Sequence, residues 1–330
     1  MPDKICVAID AMGGDNAPME VVRGAALFLN TRDIKITLLG KRDLIEAELK
    51  KINCADGRIE IIHCTEVIGP DESPAAAIKN KKDSSLVAGF KILKEEKADA
   101  LVSAGSTGAL LTGATLLVGR IEGVERPALA TLLPNENGFS LMLDSGANVD
   151  CKPNYLLQFA KMGSVYMESV MNIERPRVGL VNIGSEKEKG NQLVKETYPL
   201  LEGSGLNFIG NVEPRDIPAG ACDVVVCDGF VGNVILKFME GLAGSMFKII
   251  KKEMTADILS KAGALLSKKA FRRVKAGFDY SEVGGAPFLG LKSLVVKAHG
   301  SSDAKAIAGA IRQAVIFTEK DAINKIKINI

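Results

Sequence analysis

Three hundred and thirty residues, 47% of them hydrophobic and 25% charged, can bury a sizeable core and exclude disordered, collagen-like and disulfide-stapled classes. The 42 basic and 40 acidic side chains leave a net charge of +2, which excludes a molecule that gathers nucleic acid through its overall field. Six cysteines with no CxxC pair, and a start without an apolar leader, fit a reducing cytoplasm.

β-rich runs recur along the chain at Lys4–Asp10, Ile34–Gly40, Ile59–Cys64, Asp99–Gly105, Ala128–Pro134, Phe139–Asp144, Arg177–Gly184, Leu206–Gly210, Asp223–Gly229 and Ser293–Gly300. Each leads into a small-residue turn and then a helical pattern, which predicts βαβ units. Runs such as Val224–Val226 are apolar at every position, as strands are when helices cover both faces of a mostly parallel sheet. The predicted fold class is α/β: a doubly wound, mostly parallel sheet with helices on both faces. No repeat, low-complexity tract or long linker interrupts it, so residues 1–330 are predicted to form a single domain.

The longest uncharged run, Ala100–Gly119, has the length of a membrane span, but Ser, Thr and Gly fill nine of its twenty positions. It reads as a strand end, a small-residue loop and a buried helix. From Val231 to Lys275 the strand–helix rhythm stops, and the pattern predicts two helices broken near Ala262–Leu266, a hairpin over about residues 240–276. Between Lys248 and Lys275 stand nine Lys/Arg and two acids, net +7, which leaves the rest of the chain at −5. The apolar tip bearing Leu265 and Leu266, flanked by Lys261, Lys268, Lys269, Arg272 and Arg273, suits either an anionic bilayer surface or a partner subunit.

In open parallel sheets ligands bind beyond the carboxyl ends of the strands. Six segments at such ends share a small, polar character. They are Asp10–Pro18 with Gly13, Gly14 and Asp15; Ser103–Gly108 with Gly105, Ser106 and Thr107; and Asp144–Asn148. Asn182–Asn191 follows with Gly184, Ser185, Glu186 and Lys189, then Asp228–Asn233 with Gly229 and Gly232, then His299–Asp303 with Gly300, Ser301 and Ser302. Glycine lets backbone N–H groups approach an oxyanion and short side chains add donors, so the six together predict one phosphate- and substrate-binding face.

P-loop, GxGxxG, HExxH and GxSxG signatures are missing, and His63 and His299 are the only histidines. No metal or cofactor is predicted. A phosphate-holding face without a covalent nucleophile implies that phosphate is itself the reactant, attacking an acyl thioester with help from positioning and oxyanion support. Lys189 is suited to hold the anionic charge, and Asn233 with neighbouring amides to donate to the oxyanion.

The ordered blocks IDAMGGDNAP, SAGSTGA, DSGAN, NIGSEKEKGN, CDGFVGN and AHGSS, which reach to Ser302, resemble the bacterial phosphate acyltransferase family, PlsX. The resemblance implies transfer of a fatty acyl group from acyl-carrier protein to inorganic phosphate, giving acyl phosphate for phospholipid synthesis. It further implies a homodimer and a fold similar to phosphotransacetylases and to isocitrate and isopropylmalate dehydrogenases. A helical hairpin would rest peripherally on the inner face of the cell membrane, where a glycerol-3-phosphate acyltransferase receives the product. On the matching blocks, Lys189, Asp228 and Asn233 are the expected catalytic group.

Three positions depart from the family pattern: Ser106 replaces an asparagine, Ser185 a threonine and Lys79 an arginine. Acidic acyl-carrier protein is expected on one of two basic patches, Lys79–Lys81–Lys82 or Lys268–Arg273. Three alternatives stand beside this expectation. One is a phosphotransacetylase for short acyl-CoA, and another a metal- and nicotinamide-dependent dehydrogenase using Asp223 and Asp228. The third is a non-catalytic lipid or carrier-protein binding module.

Overall fold

A computed structural model describes residues 4–277 and 284–330, and in it the α/β rhythm is divided between two sheets. The chain begins with β1 (Cys6–Asp10), α1 (Met19–Leu29), β2 (Lys35–Gly40), α2 (Arg42–Lys51), β3 (Ile59–His63), α3 (Pro74–Asn80), α4 (Ser85–Lys94), β4 (Ala100–Ser103) and α5 (Thr107–Gly113), which a π-helical turn extends to Val118. It continues with β5 (Ala128–Leu129), β6 (Thr131–Asn135), β7 (Gly138–Leu143), α6 (Pro153–Ser169), β8 (Val178–Val181), α7 (Gln192–Glu202), β9 (Phe208–Val212) and β10 (Val224–Val226). α8 (Gly229–Met254) and α9 (Ile258–Gly277) form a hairpin, followed by β11 (Ala286–Leu289), β12 (Leu294–Lys297), α10 (Ala304–Glu319) and α11 (Ala322–Asn329).

The first sheet has the order β3-β2-β1-β4-β12-β11-β5, parallel from β3 to β12 and antiparallel beyond. The second has the order β6-β7-β10-β8-β9, parallel except for β6. Every predicted run yields a strand, and Val224–Val226 are fully buried, as two-sided cover requires.

Two details differ from expectation. Ala128–Pro134 is not one strand: it changes sheets at Ala130, whose N–H donates to the Pro287 carbonyl. β11 had no predicted counterpart, because Pro287 within a short run with glycines on either side argues against a strand from sequence alone.

One apolar cluster joins the sheets, taking in Val7 and Ile9, Leu141 and Leu143, and Val224. Between them α6 packs towards α10 and α11. Tyr166 is fully buried, receives a bond from Gln313 Nε2 at 3.3 Å and lies 5.8 Å from the Phe317 ring. Each such aromatic contributes roughly 1.5–3 kcal/mol through burial, so the shared cluster sets the arrangement of the two strand-end rims.

The hairpin turns at Thr255–Asp257, not at Ala262–Leu266. Asp257 caps α9, accepting from Ser260 N at 2.8 Å and from Ser260 Oγ at 2.7 Å, whereas Ala262–Leu266 has no side chain able to compete for backbone groups and stays helical. Leu265 and Leu266 therefore stand on α9 itself, 72% and 87% exposed. The side chain of Arg272 lies outside the described part.

Along α8 an exposed apolar stripe runs through Phe230, Val234, Phe238, Leu242, Met246 and Ile249. By length and composition this helix could cross a membrane.

Candidate active site

At the carboxyl ends of β1, β4 and β12 three of the predicted loops interlock. The buried Asp10 carboxylate accepts from Ser103 Oγ at 2.7 Å and from Met12 N at 3.1 Å, and Ser103 Oγ in turn accepts from Gly105 N at 3.0 Å. Gly13 is required there: a Cβ would stand 2.5 Å from Asp10 Oδ2 and 2.7 Å from Gly105 N. Asp15 N donates to the Gly300 carbonyl at 2.8 Å, and Asn16 Nδ2 to the carbonyls of Ser301 and Ser302. Ser106 Oγ caps α5 through Ala109 N, so this departure from the family pattern keeps a local structural bond; Thr107 and Gly108 form the first turn of that helix.

His299 Nδ1 faces the Ser301 hydroxyl at 2.8 Å and accepts from Ser301 N at 3.3 Å, which leaves the imidazole proton on Nε2.

Two ionisable groups absent from the predicted set stand at this rim. Lys297, the last residue of β12, donates through Nζ to the carbonyls of Ala298 and Ala104, the latter at 3.4 Å. Desolvation draws its ammonium down to about 8, against Asp15 and Asp10, which hold it up. The signal for it was a single cation inside the apolar run Leu294–Ala298. The second is Glu240 of α8, whose carboxyl burial pushes up against the opposing effect of His299 and Lys237.

The second rim lies at β7 and β10. Asp144 is fully buried, and its two oxygens accept from Leu129 N (3.0 Å), Gly146 N (3.2 Å), Ala147 N (3.1 Å), Asn148 N (2.6 Å) and Asn148 Nδ2 (2.8 Å). α8 is seated on this loop. Asp228 Oδ1 caps the helix by accepting from Val231 N at 2.9 Å, Gly229 N donates to the Asn148 carbonyl at 2.7 Å, and a Cβ on Gly232 would meet the Asp144 carbonyl at 1.9 Å. A Cβ on Gly146 would stand 3.5 Å from the Asn233 side chain, so Asn233 faces this glycine.

The third group is the loop after β8. Asn182 Nδ2 donates to the Lys189 carbonyl at 3.0 Å, and Asn191 caps α7 through Val194 N. Lys189 Nζ lies across Gly184 and pairs with Glu186 at 2.8 Å, both side chains about half exposed. Lys187 pairs with Glu202.

The structure thus joins Asp10, Gly13, Gly14, Asp15, Gly105, Gly300, Ser301 and Ser302 in one nest. It joins Asp144, Asn148, Asp228, Gly229, Gly232 and Asn233 in another. Gly184, Ser185, Glu186 and Lys189 form their own loop. Asp10 and Asp144, predicted to bind substrate, have their carboxylates taken up within their own loops and shape the rims from inside. Asp223, the aspartate a dehydrogenase reading would use beside Asp228, is held by the Arg177 fork. Among the described residues no three His, Cys, Asp or Glu side chains come together as a metal site.

A family model described as "Fatty acid synthesis protein" matches residues 5–325. The chain is 52% identical to a phosphate acyltransferase of Clostridium kluyveri over 324 residues, covering 98% of this chain and 97% of that protein. It is also 52% identical to a phosphate acyltransferase of Clostridium acetobutylicum, covering 97% of each. Its fold is similar to that of EutD phosphotransacetylase from Staphylococcus aureus, with a TM-score of 0.63 and 17% identity over 97% of this chain and 94% of that one.

Proposed function

We propose, since this chain belongs to the bacterial phosphate acyltransferase family (PlsX), that its acyl donor is the thioester of acyl-carrier protein. The enzyme transfers an acyl group to phosphate in phospholipid synthesis. The observation that carries the fuller reading is Lys297 on the rim where the three glycine loops interlock. Its ammonium has three protons, and two carbonyls leave one for an anion.

In the proposed step an oxygen of hydrogen phosphate attacks the thioester carbonyl carbon, the C–S bond breaks, and the proton the phosphate gives up as it is acylated passes to the departing thiolate. Lys297 holds the phosphate. The Asn233 amide and the backbone near Gly146 support the oxyanion. His299, with Nδ1 turned to Ser301, presents Nε2–H to the sulfur as a hydrogen-bond donor that steadies the departing thiolate. Asp228 positions the start of α8 by capping it.

Lys189 reaches substrate by releasing Glu186, which costs little, since an exposed pair contributes about 0–1 kcal/mol. Lys189→Ala is expected to lower turnover by about 10². An unaltered rate would leave it a surface lysine.

Incubation with long-chain acyl-[acyl-carrier protein] and labelled orthophosphate tests the whole reading: labelled acyl phosphate is expected, and its absence defeats it. Faster transfer from short acyl-CoA would favour the phosphotransacetylase alternative.

The hairpin is read as a peripheral contact with the anionic inner face of the cell membrane, where a glycerol-3-phosphate acyltransferase takes the product. The exposed leucines of α9 beside Lys261, Lys268, Lys269 and Arg273 support this. Leu265→Glu with Leu266→Glu is expected to abolish sedimentation with anionic vesicles while transfer from soluble donors continues. The α8 stripe is read as the surface that a second copy covers in a homodimer. Of the two basic patches, Lys81 is engaged by Glu72 at 2.6 Å and by the Val67 carbonyl, which favours the hairpin as the landing surface for acidic acyl-carrier protein.

A further inference from the structure

Beside the second rim a hollow of about 330 Å³ opens between the π-helical turn after α5 and the start of α6. It is lined by Thr115, Arg120, Glu125, Arg126, Pro127 and Tyr155. Arg120 donates to the Glu125 carbonyl, and the Arg126 guanidinium stands 6.0 Å from the centre of the Tyr155 ring. The Glu125 carboxylate accepts from Asn154. No ion pair joins either arginine to a carboxylate among the described residues, so the hollow presents two guanidinium groups, one of them already giving an N–H to the Glu125 carbonyl, and two hydroxyls, beside the Glu125 carboxylate that Asn154 holds. That set matches a phosphate ester, whose oxygens accept paired N–H donors.

The hollow adjoins the reacting rim. The Pro127 carbonyl in its wall accepts from Asn148 Nδ2 at 2.8 Å, and the Asn148 carbonyl accepts from Gly229 N at 2.7 Å, at the start of α8. The Cys151 thiol donates to that same Asn148 carbonyl at 3.5 Å. An acyl donor of the kind proposed above is a thioester on a phosphopantetheine arm, which carries a phosphate well away from the sulfur. Binding such a remote group fixes the reacting carbonyl without touching it.

We infer that the Arg120–Arg126 hollow binds the phosphate of the donor's phosphopantetheine arm; this rests on the donor proposed above.

The test compares kcat/KM for palmitoyl-phosphopantetheine and palmitoyl-pantetheine, in the wild-type enzyme and in an Arg120→Ala/Arg126→Ala variant. The wild type is expected to prefer the phosphorylated donor by about tenfold or more, and the variant to lose that preference. Calorimetric titration with 4′-phosphopantetheine against pantetheine is expected to show the same loss without turnover. Equal losses with both donors, or a preference that survives in the variant, would overturn the assignment. So would a raised KM for orthophosphate with the donor preference intact, which would make the hollow a mineral-anion site. Because the titration needs no reaction, a wild type that makes no acyl phosphate would sink the proposed function and still leave the hollow's ligand measurable.

Discussion

Replacing Lys297 by methionine is expected to lower kcat/KM for orthophosphate by about 10² to 10³, the loss seen when one preorganised donor to a developing charge is removed. The methionine stem fills similar space, and the cation it removes is one that desolvation already disfavours, so stability should hold or rise. Steady-state kinetics with varied phosphate, alongside thermal unfolding, separates these effects. A variant with wild-type kcat/KM would remove Lys297 from the site.

The same group gives two pH dependences. Free-enzyme kcat/KM for phosphate should fall as pH rises through about 8, where the ammonium loses its proton. Between about 8 and the ordinary lysine value the unfolded chain binds more protons than the folded one, so wild-type stability should rise with pH across that window. The methionine variant should lack both dependences.

Asp144→Ala should be the most destabilising single change in the second rim. It breaks five hydrogen bonds inside a buried loop: those from the N–H groups of Leu129, Gly146, Ala147 and Asn148, and one from the Asn148 amide, which keeps the Pro127 carbonyl. Each orphaned buried donor costs about 1–3 kcal/mol before relaxation, and loss of a buried charged partner typically costs about 3–5 kcal/mol in total. We expect Tm to fall by about 10 °C in calorimetry. Activity at low temperature should fall too, because Gly229 and Gly232 seat α8 on this loop. A Tm within about 2 °C of wild type would mean that the five bonds are not what holds the rim.

The loops were legible because each carries its own cause. Gly13, pressed between Asp10 and Gly105, and Gly14 and Gly146, at positive φ, are glycines that the backbone demands locally, and they mark strand ends in any α/β chain. The hairpin was legible as two helices, but its turn was misplaced. The apolar Ala262–Leu266 was read as a tip, whereas capping by Asp257 decides the break. Asp10 and Asp144 stand out in the sequence as carboxylates at strand ends, but their work as internal acceptors depends on which donors the folded loop aims at them.

From the residues alone came the alternation of strands and helices, the apolar strands covered on both faces, the six polar strand ends and the segregated charge of the hairpin. All of these are written in neighbours a few positions apart, through periodicity, glycine and capping chemistry. Only the folded chain decided that Ala130 divides one β-run between two sheets, and that Lys189 pairs with Glu186 on the outside. It alone set Lys297 among Asp10, Asp15 and Ala104 and placed Arg126 beside Tyr155. Those outcomes depend on desolvation and on charges brought together from nearly three hundred residues apart, which no local pattern contains.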